Sequence, residues 1–122
     1  MPVIYNLMVV DQLTDDEVDR IFGALADTTR RDILSRAIRQ EQSVSALAGH
    51  YEMSFAAVQK HVAVLERATL VTKQRHGREQ IVHANTSTLR RAVALLDDYD
   101  QLWRQRAERI ADILADEKGT SP

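Results

Sequence analysis

The sequence predicts a mainly α fold with a small β component (α+β): four helices, a β-hairpin and a long closing helix. Three observations carry this. Apolar residues recur at three- and four-residue spacing from Val18 to Leu65. The pattern changes to β-rich runs on both sides of Gly77, and the helical period then returns until about Ala115. A chain of 122 residues is long enough for one domain and short for two.

Residues 1–12 read as an extended N-terminal arm. In "LTDDEVDRIFGALA", Thr14 is a natural N-cap, and Asp15, Asp16 and Glu17 suit the positive end of the helix dipole. Val18, Ile21, Phe22 and Leu25 form the buried stripe. Asp27 caps "TTRRDILSRAIRQ", whose inward residues are Ile33, Leu34, Ala37 and Ile38. After the spacer "EQ", Ser43 starts a short third helix, "SVSALAGH". "YEM" links it tightly to a fourth helix, capped by Ser54 and ending near Ala68. Ala57, Val58, Val62, Leu65 and Leu70 have the spacing of a buried face.

"LVTKQR" and "QIVHAN" flank "HGRE" as the strands of a hairpin. A last helix runs from Ser87 or Thr88 to about Ala115, with a stripe of Leu89, Val93, Leu96, Trp103, Ala107, Ile110 and Leu114. "EKGTSP", residues 117–122, reads as a frayed tail, which leaves 13–116 as the domain.

Composition excludes several classes. The absence of cysteine removes disulfides, thiolate metal sites and cysteine nucleophiles. No apolar run approaches the roughly 18 residues of a membrane span, and "MPVIYNLMVV" lacks the basic flank of a signal peptide, so a cytoplasmic protein is expected. There is no G-x-S-x-G, P-loop or dinucleotide turn, and an enzyme is the least favoured class. His50, His61, His76 and His83 fall on different elements, and Asp97, Asp98 and Asp100 read as an exposed acidic face, so no metal or cofactor is expected.

The net charge of −2 hides a segregation. Residues 30–91 carry eleven bases and five acids, net +6, between acidic ends of −5 and −3. A basic middle suits a polyanion. Within it, helices three and four have helix-turn-helix spacing, and the buried face of the fourth turns Ser54, Phe55, Gln59 and Lys60 outward. Gln59 can grip adenine through its amide, and Lys60 can reach guanine or a phosphate. Phe55 either presses on a thymine methyl or staples the helix start. His61 is either a DNA contact or a packed, hydrogen-bonded ring. The hairpin places Lys73, Arg75, His76 and Arg78 around Gly77 against one acid, Glu79. That suits a wing on the phosphate backbone, the alternative being a hairpin that only covers the core edge.

The last helix is more apolar around Leu96, Tyr99, Trp103 and Ile110 than a lone surface helix should be. A homodimer follows, built on helix one and the last helix, with Ile21, Leu96, Tyr99, Trp103, Ile110 and Leu114 as interface candidates.

"IFGALADTTRRDILSRA", "SVSALAGHYEMSFAAVQKHVAVLERATLV" and "RHGREQIVHAN" resemble the ArsR-type winged helix-turn-helix repressors over roughly residues 20–115. The family wording is close to L-A-D-P-T-R-R-x-I-L, then S-x-x-A-V-S-x-H-L-x-x-L-x-x-A-G-L-V, then a G-R wing. The resemblance implies base or backbone contact by Ser54, Phe55, Gln59, Lys60 and His61, wing contacts by Arg75 and Arg78, and phosphate contacts by Ser43 and Ser45. Many relatives sense metals through cysteine pairs or a histidine-bearing last helix. This chain has neither, and reads as a member without a metal sensor.

Three positions depart from the pattern. Thr28 stands where proline is usual, and Gln59 replaces the common serine, so the operator is not inherited from relatives. Thr69 replaces the glycine that ends this helix in a left-handed conformation. A β-branched residue costs about 1–2 kcal/mol there, so the chain is expected to leave the helix differently. The reading is a sequence-specific, homodimeric transcriptional repressor that binds double-stranded DNA at a pseudo-palindromic promoter operator. The alternative is a winged-helix protein–protein interaction module. A small-molecule effector, with a pocket between helix one and the last helix, is left open by the sequence.

Overall fold

Short polar side chains decide where the helices start. Thr14 and Glu17 form a reciprocal capping box, Glu17 N donating to Thr14 Oγ1 at 3.1 Å and Thr14 N to Glu17 Oε1 at 2.9 Å. Asp27 accepts from Arg30 N at 3.0 Å, Ser43 from Ala46 N at 3.0 Å and Ser54 from Ala57 N at 3.1 Å. Such a cap is worth about 1 kcal/mol and fixes the helical phase of everything downstream.

The computed structural model describes residues 13–119, so the expected arm over 1–12 and residues 120–122 of the expected tail lie outside the described residues. The order is α1 (Asp15–Leu25), α2 (Thr28–Arg39), β1 (Gln42–Ser43), α3 (Val44–Ala48), α4 (Phe55–Arg67), β2 (Val71–His76), β3 (Glu79–Ala84) and α5 (Thr86–Gly119). This is a winged helix-turn-helix with a long C-terminal helix. Residues up to Ala92 form one compact unit and those from Val93 a second.

In the first unit the apolar stripes of α1 to α4 converge with the strands. Ile21, Ile33, Leu47, Val58, Val62, Leu65, Leu70, Val71 and Val82 are fully buried. Fully burying a side chain of this kind contributes roughly 1.5–3 kcal/mol. Ile38 departs from expectation: it is 50% exposed. At about 100° per residue it lies about 140° around α2 from Ile33, past the edge of the arc that Ile33, Leu34 and Ala37 bury.

β1 was not anticipated. It pairs antiparallel with β3 (Gln42↔Val82, Ser43↔Ile81), giving a three-stranded sheet in the order β1-β3-β2. Two residues are too short to show a strand period, so their pairing is a tertiary fact. Between β2 and β3 the register closes at His76↔Glu79, leaving Gly77 and Arg78 as a two-residue turn. Gly77 has φ 63, a conformation that strains any side chain.

The end of α4 overturns the expectation for Thr69, which takes the left-handed conformation after all, with φ 58. Leu70 N donates to Leu65 O at 3.0 Å and Thr69 N to Glu66 O at 2.9 Å, the paired bonds of a Schellman motif. The Thr69 hydroxyl lies 3.1 Å from that of Thr88, which is buried in the first turns of α5, and donates to Ala68 O at 2.7 Å. These bonds, and the burial of Leu70 that they direct, offset the β-branched cost.

α5 also runs further than expected, through Gly119. In the second unit Val93, Leu96, Tyr99, Leu102, Trp103, Ile110, Ile113 and Leu114 are exposed, Trp103 at 60%, whereas Leu95 is half-buried.

Candidate nucleic-acid interface

With Ser54 capping α4 and Val58, Val62 and Leu65 turned into the core, the rotation of α4 has no freedom left. Ser54, Phe55, Gln59 and Lys60 are consequently exposed. Phe55 keeps 47% of its surface in water, so it is no more than a partial staple.

A cleft of about 220 Å³ opens between this helix and the hairpin, lined by Val44, Ser45, Phe55, Gln59, Arg75, Arg78, Glu79 and Gln80. It brings together five of the residues singled out from sequence: Ser45, Phe55 and Gln59 from the helix-turn-helix, Arg75 and Arg78 from the wing. Arg75 Nε donates to Gly77 O at 3.2 Å, which holds the guanidinium back against its own turn. Strand alternation places Arg75 on the sheet face shared with buried Val71, while His76 lies on the opposite face.

The remaining candidates sit elsewhere. Lys60 is exposed at the surface. Ser43 is half-buried, its oxygen capping α3 and its backbone paired with Ile81. Lys73 is turned toward α4, with Nζ 3.4 Å from Glu66 Oε1. His61 is a half-buried ring whose Nδ1 lies 3.3 Å from Arg30 Nη1. Arg30 in turn donates to the carbonyls of Ala24 and Gly23 at the end of α1, at 2.8 and 3.2 Å. Among the dimer candidates Leu96, Tyr99, Trp103, Ile110 and Leu114 are exposed, whereas Ile21 is 1% exposed, inside the protomer's own core.

Sequence reasoning missed Glu79 and Gln80 in the cleft. Gln80 faces Arg75 across the hairpin, which only the register reveals. It also missed the clamp that holds the turn before α4. Tyr51, in that turn, donates its hydroxyl to Asp32 Oδ2, and Arg36 Nε reaches the same oxygen at 2.8 Å. The Tyr51 bond first, and Arg36 second, hold the Asp32 carboxyl below the usual carboxylate range. Burial first, and then Asp32, push the Tyr51 hydroxyl up to about 12. Asp27, capping α2, is also held low, chiefly by the backbone N–H of Arg30. Among the described residues, no three His, Asp or Glu side chains are grouped to hold a metal ion. Nor, among them, is any helix long and apolar enough to cross a membrane.

No family model matches the chain. Individual relatives do. The HTH-type transcriptional regulator Rv2034 of Mycobacterium tuberculosis is 32% identical over 99 residues, which span 81% of this chain and 90% of the relative. The solved structure of an ArsR-like transcriptional regulator from Rhodococcus sp. RHA1 has a TM-score of 0.72 at 33% identity, covering 80% of this chain and 92% of its own. Mb0332 of Mycobacterium bovis, whose winged helix-turn-helix DNA-binding domain is homodimeric, shares the fold with a TM-score of 0.58 at 24% identity, over 73% of this chain and 89% of that one.

Proposed function

This chain belongs to the ArsR-like family of winged helix-turn-helix transcriptional regulators, and from that premise we propose that it is a cytoplasmic homodimer that recognises a pseudo-palindromic operator and represses transcription by occupying it. The observation that carries the proposal is the cleft in which the outward face of α4 meets the two wing arginines. One part presents an amide to base edges while the other presents fixed positive charge to the backbone.

In this reading α4 enters the major groove and Gln59 takes adenine through its bidentate amide. Phe55 covers a thymine methyl, and Lys60 contacts guanine or a phosphate. Ser43, Ser45 and Ser54 lie at helix starts, where hydroxyls and free backbone N–H groups suit phosphates. Arg75 and Arg78 carry the wing contacts, with His76 beside them. Lys73 contributes less because Glu66 already engages it. His61 acts by packing against Arg30 rather than by touching DNA.

Residues 13–116 make the DNA-binding and dimerisation domain, and the last helix continues past it to Gly119. The exposed face of Leu96, Tyr99, Trp103, Ile110 and Leu114 is more apolar than water tolerates alone, and a two-fold partner with the same face covers it. The homodimer of Mb0332 is a precedent within the fold. Two recognition helices would then meet successive major grooves roughly 34 Å apart.

Fluorescence anisotropy with the duplex upstream of the chain's own gene, and a scrambled duplex of equal length, tests the proposal across a salt series. With about six to ten phosphate contacts per dimer, log K should fall against log salt with a slope of about −5 to −9. The specific duplex should bind at least about a thousandfold more tightly than the scrambled one. No binding to any duplex at low salt would make the chain a protein-interaction module instead.

A further inference from the structure

The face of α2 where Ile38 turns outward has chemistry of its own. Leu25 at the end of α1, with Arg31, Leu34, Ser35, Ile38 and Arg39 of α2, lines a surface groove of about 310 Å³. The α2 members stand three, four, seven and eight residues from Arg31, so one helical face supplies them all. Small-molecule sites occupy ~300–1,000 Å³, and this groove falls at the lower end of that range.

Its floor is aliphatic: Leu25, Leu34 and the half-exposed Ile38. Its polar members are two guanidinium groups and one hydroxyl, and no carboxylate lines it. The arginines differ in freedom. Arg31 is tied down, Nη1 donating to Leu25 O at 2.8 Å and Nη2 lying 3.4 Å from Thr28 Oγ1, so its charge is fixed beside the groove. Arg39, in the last turn of α2, is exposed and has no hydrogen-bond or ion-pair partner among the described residues. An aliphatic surface in water beside unopposed planar cations is complementary to an amphipathic anion. The hydrocarbon would displace water from the partly exposed Leu25 and from Ile38, and a carboxylate would take two parallel N–H bonds from Arg39.

We propose that this groove binds a small aliphatic carboxylic acid, its carboxylate on Arg39 and Ser35 and its chain along Leu25, Leu34 and Ile38. The site lies apart from the DNA-reading cleft and does not rest on that reading. Its place in the fold gives it consequence, because α2 also carries Asp32 and Arg36, which hold Tyr51 in the turn before α4.

The test is calorimetric titration of the full chain with octanoate, and with 1-octanol as the same tail without the charge. One octanoate should bind per protomer, with 1-octanol weaker by about tenfold or more. Arg39→Gln should weaken octanoate by about tenfold and leave 1-octanol unchanged. Ile38→Asp, at a half-exposed position, should keep the helical circular dichroism and lose both ligands. Undiminished octanoate binding by Arg39→Gln overturns the proposal, as does no heat at millimolar octanoate. A smaller sedimentation coefficient for Ile38→Asp would assign the groove to a second copy of the chain and overturn it equally. Because ligand heat is read without DNA, none of these outcomes depends on operator binding.

Discussion

Tyr51 and Asp32, 19 residues apart, are joined by a hydrogen bond of 2.6 Å from the phenol to the carboxylate. Through it the turn before α4 is fastened to α2, and Arg36 Nε meets the same carboxylate oxygen.

The bond has a pH signature at both ends. The Asp32 carboxyl is held below its usual 3.8, so its contribution to stability is present above that value and lost as pH falls through the lowered one. The Tyr51 hydroxyl is raised from 10.0 to about 12, so its contribution is complete below pH 10 and disappears as pH rises from 10 to about 12. Tyr51→Phe should lower stability by about 1 kcal/mol at neutral pH, a figure kept small because the Asp32 side chain is still about half exposed to solvent. The variant should also lack the loss between pH 10 and 12 that this phenol causes. Urea midpoints at neutral and alkaline pH check both; equal alkaline loss in the two proteins would remove Tyr51 as its source.

Thr69 gives a second, opposing pair of effects. Thr69→Gly relieves about 1–2 kcal/mol of left-handed strain. It also gives up a hydroxyl contact worth about 1 kcal/mol and adds about 0.5–1 kcal/mol of unfolded-chain entropy. The single variant should therefore be near neutral. Thr88→Val, made alone, removes the buried hydroxyl partner, and combined with Thr69→Gly it should not be additive, because the two hydroxyls share one contact. A double-mutant cycle in denaturant measures the coupling, and strict additivity would show that the contact contributes nothing.

At the proposed DNA surface, Gln59 and Arg78 should fail differently. Gln59→Ala should cost roughly 1–3 kcal/mol at one operator position and leave the others unchanged. Arg78→Ala or Lys60→Ala should weaken every duplex alike and reduce the magnitude of the salt slope by about 1. Anisotropy against a panel of single-base operator variants separates the two patterns. Uniform loss across the panel for Gln59→Ala would show that it does not read a base.

Trp103→Glu places a charge in the middle of the exposed α5 face, at a residue that is 60% exposed in the protomer. Folding should be retained and the dimer lost, read as a fall to monomer mass in sedimentation equilibrium, with operator affinity reduced by about a hundredfold or more as bivalency disappears. An unchanged dimer would move the interface off this face.

The parts legible in the sequence were those set by local chemistry. Thr14, Asp27, Ser43 and Ser54 each cap the helix start they were expected to cap, because a capping hydroxyl or carboxylate acts within three residues. The outward face of α4 followed from Val58, Val62 and Leu65 by periodicity alone. What was not legible depends on distant partners. Gln42 and Ser43 form a strand only because β3 is there to pair with, and Tyr51 meets Asp32 only after α2 and α4 have packed. Ile38 is exposed because the buried stripe of α2 is one residue narrower than the apolar spacing suggests. At Thr69, intrinsic preference pointed one way and the tertiary bonds to Leu65, Glu66 and Thr88 decided the other.

Ser43 occupies two roles at one point of the chain: its side chain starts α3, and its backbone is zipped to Ile81 of the wing's inner strand. The first helix of the helix-turn-helix and the inner strand of the wing are therefore joined at a single residue. On the proposed reading the two parts approach a duplex with a set spacing, and a duplex whose groove geometry does not match that spacing has to twist or bend to meet it.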